Sequence, residues 1–384
     1  MKLNFVQNLN IIIYIKHMKK INNLYCAGTM RTGGSLLSNL LSVHKDLIII
    51  TDIVHFFRYI NKRYDPIYQN YKLFELSAEL SLRLKLRDNL KIDKKIFYKK
   101  FLDNKVKTYS QVYSSIFEVL LKNIPKKKFI GEYANGEWKS IGDFLSFNKK
   151  NVAIHVIRDP RAMLSSWKKI TFSKGYKYLN SIFNWIHSVD SFSSYKKKFG
   201  SRRYLLIKFE DMHKNPEKIS RKLCKFLNLK FDKNMINDKK WKLLLKDKFN
   251  YVNETAYGDK KKVYGFSKSR INAWKNHLND WEINLINHLC KKRLKKIGYD
   301  AGKIDKKILK LGIQKIKKDK FLLKRYIKFL KFNEGSKDAL NDPTNPKNWE
   351  SRLVPGTKFI NSSEFKTYKN ELKNIKKYSK KLKN

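Results

Sequence analysis

Short, continuously apolar runs alternate along the chain with longer stretches in which apolar residues recur at helical spacing. Leu24–Ala27, Leu47–Ile50, Phe129–Ile130, Val152–Ile157 and Tyr204–Phe209 read as strands, and runs this apolar suit strands buried on both faces. The alternation predicts an α/β fold in three layers: a parallel sheet of about five strands flanked by helices. Val54 to Lys128, rich in Lys, Leu, Tyr and Phe, reads as a helical insertion over one end of that sheet. After Asn250 a loop with Lys and Gly leads into Ser269–Trp274 and then a helix around Asp280–Ile297. From Lys303 to Phe332, Ile304, Ile308, Leu311, Ile316, Leu323, Ile327 and Leu330 keep helical spacing within a strongly basic segment. Asn341–Pro346 and Val354–Gly356 are turn-rich, and Glu371–Asn384 is a lysine-heavy tail. The chain divides into an N-terminal extension (1–22), a domain (23–300, with its insertion at about 54–128) and a basic helical C-terminal extension (301–384).

Charge complicates this picture without redirecting it. The 384 residues carry 86 Lys and Arg against 33 Asp and Glu, a formal net charge of +53, while 42% hydrophobic residues leave ample material for a core. A fully disordered polybasic chain is excluded, since it would lack that apolar content. The excess charge invites a nucleic-acid or acidic-membrane partner. The abundance of Lys, Asn and Ile, all with A/T-rich codons, equally accounts for much of it. Cys26, Cys224 and Cys290 are odd in number and widely spaced, which supports neither a disulfide framework nor a zinc site. No apolar run approaches the ~20 residues of a membrane span. Leu9–Ile15 is a poor secretory signal, Met18 is a second candidate start, and the expected location is cytoplasmic.

Candidate chemistry begins at the end of the first strand. From Leu24 to Leu41 a strand runs into a glycine loop and then an amphipathic helix, a geometry that points free N–H groups at an anion. Gly28 to Ser35 nearly fits the phosphate-loop pattern G-x-x-x-x-G-K-S/T, but Gly34 stands where the lysine belongs and the loop cation is Arg31. That shift weakens a Mg-ATP reading. The run His155 to Trp167 repeats the device: strand, then turn, then helix, with Asp159 as a cap and Pro160 at the first helical position. Arg158 stands at the strand's carboxyl end and Ser166 two helical turns on. Two such devices in one parallel sheet imply a ligand with two separated anionic groups.

Four segments in order, covering roughly Asn23 to Tyr299, resemble sulfotransferases that use 3′-phosphoadenosine 5′-phosphosulfate (PAPS), a family with a P-loop NTPase-like fold. Arg31 to Leu37 resembles the family's 5′-phosphosulfate loop. Arg158 and Ser166 match its 3′-phosphate motif at the same separation. Phe209 to Pro216 (F-E-D-M-H-K-N-P) resembles its Y-E-D motif, with Phe for Tyr, and Ser269 to Lys275 (S-R-I-N-A-W-K) resembles a late segment near a loop that covers the nucleotide. Met30 departs from a common Pro, and Gly34 from a frequent hydroxyl residue.

The resemblance implies that PAPS is the co-substrate and that no metal is needed. Arg31, Thr32, Gly33, Gly34, Ser35 and Leu36 would hold the 5′-phosphosulfate, with Arg31 also neutralising charge on the leaving oxygen. Arg158 and Ser166 would hold the 3′-phosphate, and Phe209, Lys268, Ser269 and Arg270 would complete the nucleotide site. The general base would follow the second strand, at Asp52; His55 on the same loop is the second candidate and Glu132 the third. Trp138 and Trp185 are candidate acceptor-pocket residues for which a core role fits better. The acceptor is expected to be a hydroxyl on a carbohydrate or glycan. A P-loop kinase or NTPase, and a basic membrane- or nucleic-acid-binding protein without catalysis, stand as alternatives. No specific nucleic acid is implied. The basic C-terminal segment is a candidate for peripheral contact with anionic membrane.

Overall fold

A computed structural model describes residues 22–124, 127–170, 175–241, 252–253, 263–338 and 362–383. The N-terminal patch with Met18 and the turns at Asn341–Pro346 and Val354–Gly356 lie outside the described residues. β1 (Asn22–Gly28) runs into α1 (Gly34–Ser42) and β2 (Leu47–Thr51). Four helices follow before the next strand: α2 (Phe56–Tyr59), α3 (Asn70–Asp88), α4 (Lys94–Asp103) and α5 (Tyr109–Leu120). β3 (Phe129–Asn135) leads through α6 (Ile141–Phe147) to β4 (Val152–Ile157), and α7 (Pro160–Ile170) and α8 (Asn180–Phe199) lead to β5 (Tyr204–Lys208). After α9 (Phe209–Lys214) and α10 (Pro216–Phe226) comes a small antiparallel pair, β6 (Val252–Asn253) with β7 (Val263–Tyr264). The last described helices are α11 (Ser269–Asn272), α12 (Asp280–Lys296), α13 (Lys306–Lys317), α14 (Lys320–Phe332) and α15 (Ser362–Lys381).

The five long strands form one sheet in the order β2-β3-β1-β4-β5, all parallel. Alternation along each strand assigns its two faces. Tyr25, Ala27, Ile48, Ile50 and Ile130 pack with α2 to α6, whereas Leu24, Cys26, Leu47, Ile49 and Ile154 pack with α1 and α10. The insertion shares this face with α6 and, at Tyr204 of β5, with Phe192 and Tyr195 of α8. A further apolar cluster joins α7 and α8 to α12, α13 and α14, so the first two helices beyond residue 301 are packed onto the same body. Cys26, Cys224 and Cys290 are buried free thiols.

β3 is longer than its apolar run suggested. Gly131, Glu132 and Asn135 interrupt the run, but the strand pairs with β1 as far as Asn135 and with β2 as far as Tyr133. Pairing on both edges holds extended backbone that the side-chain pattern does not advertise. Gly131 is required there: a Cβ would lie 2.2 Å from the Leu24 carbonyl oxygen. β5 ends one residue before Phe209, which opens α9. Because β1 is flanked by strands that connect in opposite directions, a crevice opens at the carboxyl ends of β1, β3 and β4, the usual ligand position in such sheets.

Candidate functional site

The loop between β1 and α1 is held open by unusual backbone. Arg31 has φ 68° and Gly33 has φ 90°, both left-handed. Thr32 is buried and its hydroxyl donates to the Thr29 carbonyl at 2.7 Å, which ties the turn together. Two glycines permit close approach. A Cβ on Gly33 would collide with the Phe209 ring, and one on Gly34 with the Tyr133 ring. Gly34, which departs from the frequent hydroxyl residue, is thus matched by Tyr133 filling its space. The first-turn amides of α1, from Gly34 to Leu36, have no partner within the helix. Ser35 is exposed at that turn, whereas the Leu36 side chain is buried in the core, so only its amide is available to a ligand.

The second device is joined directly to the first. Arg31 Nε donates to Ser166 Oγ on α7 at 2.9 Å, and one Arg158 nitrogen donates to the Arg31 carbonyl at 3.2 Å. Asp159 caps α7 by accepting from the Arg161 amide at 2.9 Å, as its position before Pro160 suggested. Arg158 is buried, lies 4.1 Å from the centre of the Phe209 ring, and gives a second hydrogen bond to the Arg270 carbonyl at 3.3 Å. Trp185 is fully buried, and its indole N–H holds the Arg158 carbonyl at 2.8 Å. Its role is core support rather than a pocket wall. Arg161 sits 4.6 Å from the Trp274 ring, docking the late segment on the β4 turn, while Lys268 and Ser269 are exposed on that segment. Glu210 accepts from the Asp159 amide at 2.9 Å and from the Tyr299 hydroxyl at 2.6 Å, a structural brace.

His213, which no motif singled out, joins this group. Its Nδ1 accepts from the Ser267 amide at 2.9 Å, so the neutral ring carries its proton on Nε2. Burial, with Arg158 and Arg270 nearby, lowers its pKa to about 3, so the ring is neutral. Nε2 of His213 and Nε of Arg158 are both buried without a hydrogen-bond partner. Unpaired buried donors are rare. Two of them beside a second arginine fit an anionic group.

Across the crevice, the loop after β2 carries the candidate bases. Asp52 (φ 55°) and His55 (φ 47°) are both left-handed. Asp52 accepts from the Asn135 amide at 2.8 Å, its amide donates to the Tyr133 carbonyl at 2.9 Å, and His55 Nε2 lies 3.6 Å from its Oδ1. The Asp52 side chain keeps 22% exposure and that of His55 none. Tyr133 links the two halves: its hydroxyl donates to Asn135 Oδ1, and the charges of Asp52 and Arg31 both act on it. The loop is clamped by Arg83 of α3, fully buried, which donates to the carbonyls of Ile53 at 3.0 Å and Val54 at 2.7 Å. Glu132 is buried below, accepts from the Phe56 amide, and is pushed up to about 8, first by burial and then by Glu137. A carboxyl held protonated at neutral pH is a poor base.

The Sulfotransferase family pattern matches residues 24–233. This span, more than half of the chain, holds the glycine loop, the base loop, Arg158, Ser166 and Phe209. The chain belongs to the sulfotransferase family. Among curated proteins no sequence matches it. Of solved structures, the sulfotransferase domain of the Synechococcus PCC 7002 olefin synthase shares 15% identity, covering 74% of this chain and 97% of that one at a TM-score of 0.49. The sulfotransferase domain from the curacin biosynthetic pathway shares 14%, covering 73% and 99%, also at 0.49. Mouse sulfotransferase SULT7A1 complexed with PAP shares 12%, covering 73% and 89%, at 0.39.

Beside its glycine loop the sulfotransferase has a small, partly open cavity of about 20 Å³. Met30, Trp138, Trp167, Asn180 and Asn184 are among its walls. Met30 therefore occupies a wall position where the family commonly has Pro. Trp138 is both core and wall: it is 1% exposed and its indole donates to His187 Nδ1 at 3.1 Å. Asn180 Oδ1 is buried without a partner, whereas the amide nitrogens of Asn180 and Asn184 hold the Asp338 carbonyl. Among the described residues no group of three or more His, Cys, Asp or Glu side chains is placed to hold a metal ion.

Proposed function

We propose that this sulfotransferase moves the sulfuryl group of PAPS to an acceptor hydroxyl, with a carbohydrate as the acceptor. One observation carries the reading: Arg31, Ser166 and Arg158 are hydrogen-bonded into a single cationic seam running from the glycine loop to Phe209 and Arg270. A nucleotide with phosphates at both ends of its ribose needs such a seam. A Mg-ATP site would call for a loop lysine, and Gly34 with Tyr133 against it leaves no room for one.

PAPS supplies, when bound, a sulfuryl group on a phosphate leaving group. The chain's residues do the rest. Asp52 takes the acceptor's hydroxyl proton, with His55 beside it to hold the carboxylate. The acceptor oxygen then bonds to sulfur as the bond from sulfur to the phosphate oxygen breaks, and the electron pair leaves with adenosine 3′,5′-bisphosphate. Arg31 and the first-turn amides of α1 neutralise the charge that gathers on that oxygen. Arg158, Ser166 and His213 hold the remote phosphate, so binding there becomes alignment at the reacting end. The carbohydrate reading rests on a carboxylate, Asp52, standing partly exposed on the loop after β2 as the base; the cavity beside Met30 has room for about one water and not for a sugar ring. The test is product mass after incubation with PAPS and a panel of sugars, phenols, sterols and simple alcohols. Sulfated sugar is the expected product. Sulfation of phenols or sterols alone would overturn the carbohydrate reading, and no transfer to any acceptor would overturn the donor reading.

A further inference from the structure

The segment Lys306–Phe332 carries eleven Lys and Arg against one acid, Asp319, and nothing in the proposed chemistry uses it. Asp319 is occupied as a cap, accepting from the amides of Phe321 and Leu322. One side of each helix is committed to the core. Leu309, Gly312 and Ile316 of α13, and Leu322 and Tyr326 of α14, are buried against the cluster built by α8 and α12. Gly312 allows that seat, because a Cβ there would press on Leu285 and the Trp281 carbonyl at 3.1 Å. Arg293 fixes the far end of α14 through hydrogen bonds to Asn333 and an ion pair with Asp190. The pair of helices is therefore rigidly oriented, and so is its outer face.

That outer face is not the plain charged surface that solvent would favour. Leu311, Ile327, Leu330 and Phe332 are 50 to 60% exposed, four of the nine large hydrophobic side chains exposed among the described residues. On α14, Lys320, Leu323, Lys324, Ile327, Leu330 and Lys331 recur at intervals of three and four and share one face, opposite Leu322 and Tyr326. Leucine and isoleucine are thus bracketed by lysines along a helix that cannot rotate.

We infer that α13 and α14 form a docking face for an anionic lipid surface. Lysine stems lie along the apolar boundary while their ammonium groups reach the headgroups, and Ile327 and Leu330, with Leu323 between them, enter the acyl edge. A nucleic acid would use the lysines and gain nothing from the aliphatic side chains. A second copy of the chain would bring two cationic faces together. The face lies flat on the bilayer: among the described residues no helix is long and apolar enough to cross one.

The test uses the full chain and vesicles of phosphatidylcholine, with and without phosphatidylglycerol, sedimented at about 0.15 M salt. Because a net charge of +53 attracts any anionic surface, the apolar side chains give the decisive comparison. Wild type sediments with the anionic vesicles and not with the neutral ones. The combined variant Ile327→Ser, Leu330→Ser binds about 10-fold less, with unchanged helicity and melting temperature. Ile327→Asp, at the centre of the face, is the second variant and also weakens binding. The proposal is overturned if wild type stays in the supernatant, or if both variants sediment as wild type does. It is equally overturned if the chain retains single-stranded RNA while ignoring vesicles.

Discussion

In the proposed mechanism the donor end is held by residues at the strand ends of the parallel sheet, while the loop bearing the proposed base is held by a helix of the insertion. At the donor end, each contributing residue stands at or just beyond a strand's carboxyl end or on the helix that follows: Arg31 after β1, Arg158 after β4, Ser166 on α7, Phe209 after β5. Neighbours in space are neighbours in a local motif, and hydrogen bonds to Arg31 join them. At the other end, Asp52 and His55 also follow a strand, but their loop is held by Arg83, about thirty residues away on α3. The small cavity nearby is walled by Met30 of the glycine loop and Trp167 of α7 as well as by α8, whose Asn180 and Asn184 are tied to the chain after α14. Arg158 and Arg83 thus stand on separate supports, and a change at either should leave the other's contacts in place.

Arg31→Ala breaks the comparison most severely, because Arg31 belongs to both ends: its side chain reaches Ser166 and its charge acts on Tyr133 beside Asp52. Sulfate transfer should fall by about 100- to 1,000-fold in kcat. Arg158→Ala removes a donor-end group alone. Calorimetry should show adenosine 3′,5′-bisphosphate bound about 10- to 100-fold more weakly, the worth of a charge-assisted hydrogen bond, with a smaller change in kcat at saturating donor. Equal affinity in wild type and variant would remove Arg158 from the 3′-phosphate site.

Arg83→Lys tests the other end. Lysine keeps the charge but cannot span the carbonyls of Ile53 and Val54 as a guanidinium does. We expect kcat to drop about 10-fold through misplacement of Asp52, with the pH profile of kcat altered and nucleotide affinity unchanged. Loss of nucleotide affinity in step with kcat would mean that the two ends are not separately supported.

The smallest effect is on stability. Glu132 titrates at about 8 in the fold against 4.5 in the unfolded chain, so the folded state holds a proton that the unfolded chain releases. Stability therefore falls as pH rises through that window. His155 and His213, both lowered to about 3 chiefly by burial, act in the opposite sense, but only as pH falls below about 6.5. Between about pH 6.5 and 8 the Glu132 effect stands by itself among these three groups. Wild type should lose melting temperature across that range, and Glu132→Gln should lose less.

The same division explains what could be read from the chain alone. The strands were legible because four of them are continuous apolar runs, and the donor motifs because spacing along a strand and helix is spacing in space. The later part of β3 was not, since Glu132 and Asn135 look like loop residues until pairing on both sides is known. Asp52 was singled out only by the resemblance, which puts a base after the second strand, and its role as the base is a proposal. Arg83 was not: among the many cations of α3 nothing marks the one that turns inward. Tyr133 was legible only as the complement of Gly34, a clue that exists once the ring is seen against the glycine. His213 stood inside a quoted motif, and its free Nε2 became evident only with the Ser267 contact.

The central claim is that one hydrogen-bonded seam binds a nucleotide bearing phosphate at both the 3′ and 5′ positions. The most direct test is the change in melting temperature of wild type with adenosine 3′,5′-bisphosphate, adenosine 5′-monophosphate and Mg-ATP. The account predicts a large rise with the bisphosphate, a much smaller one with the monophosphate, and loss of that difference in Arg158→Ala. Stabilisation by Mg-ATP alone would contradict it.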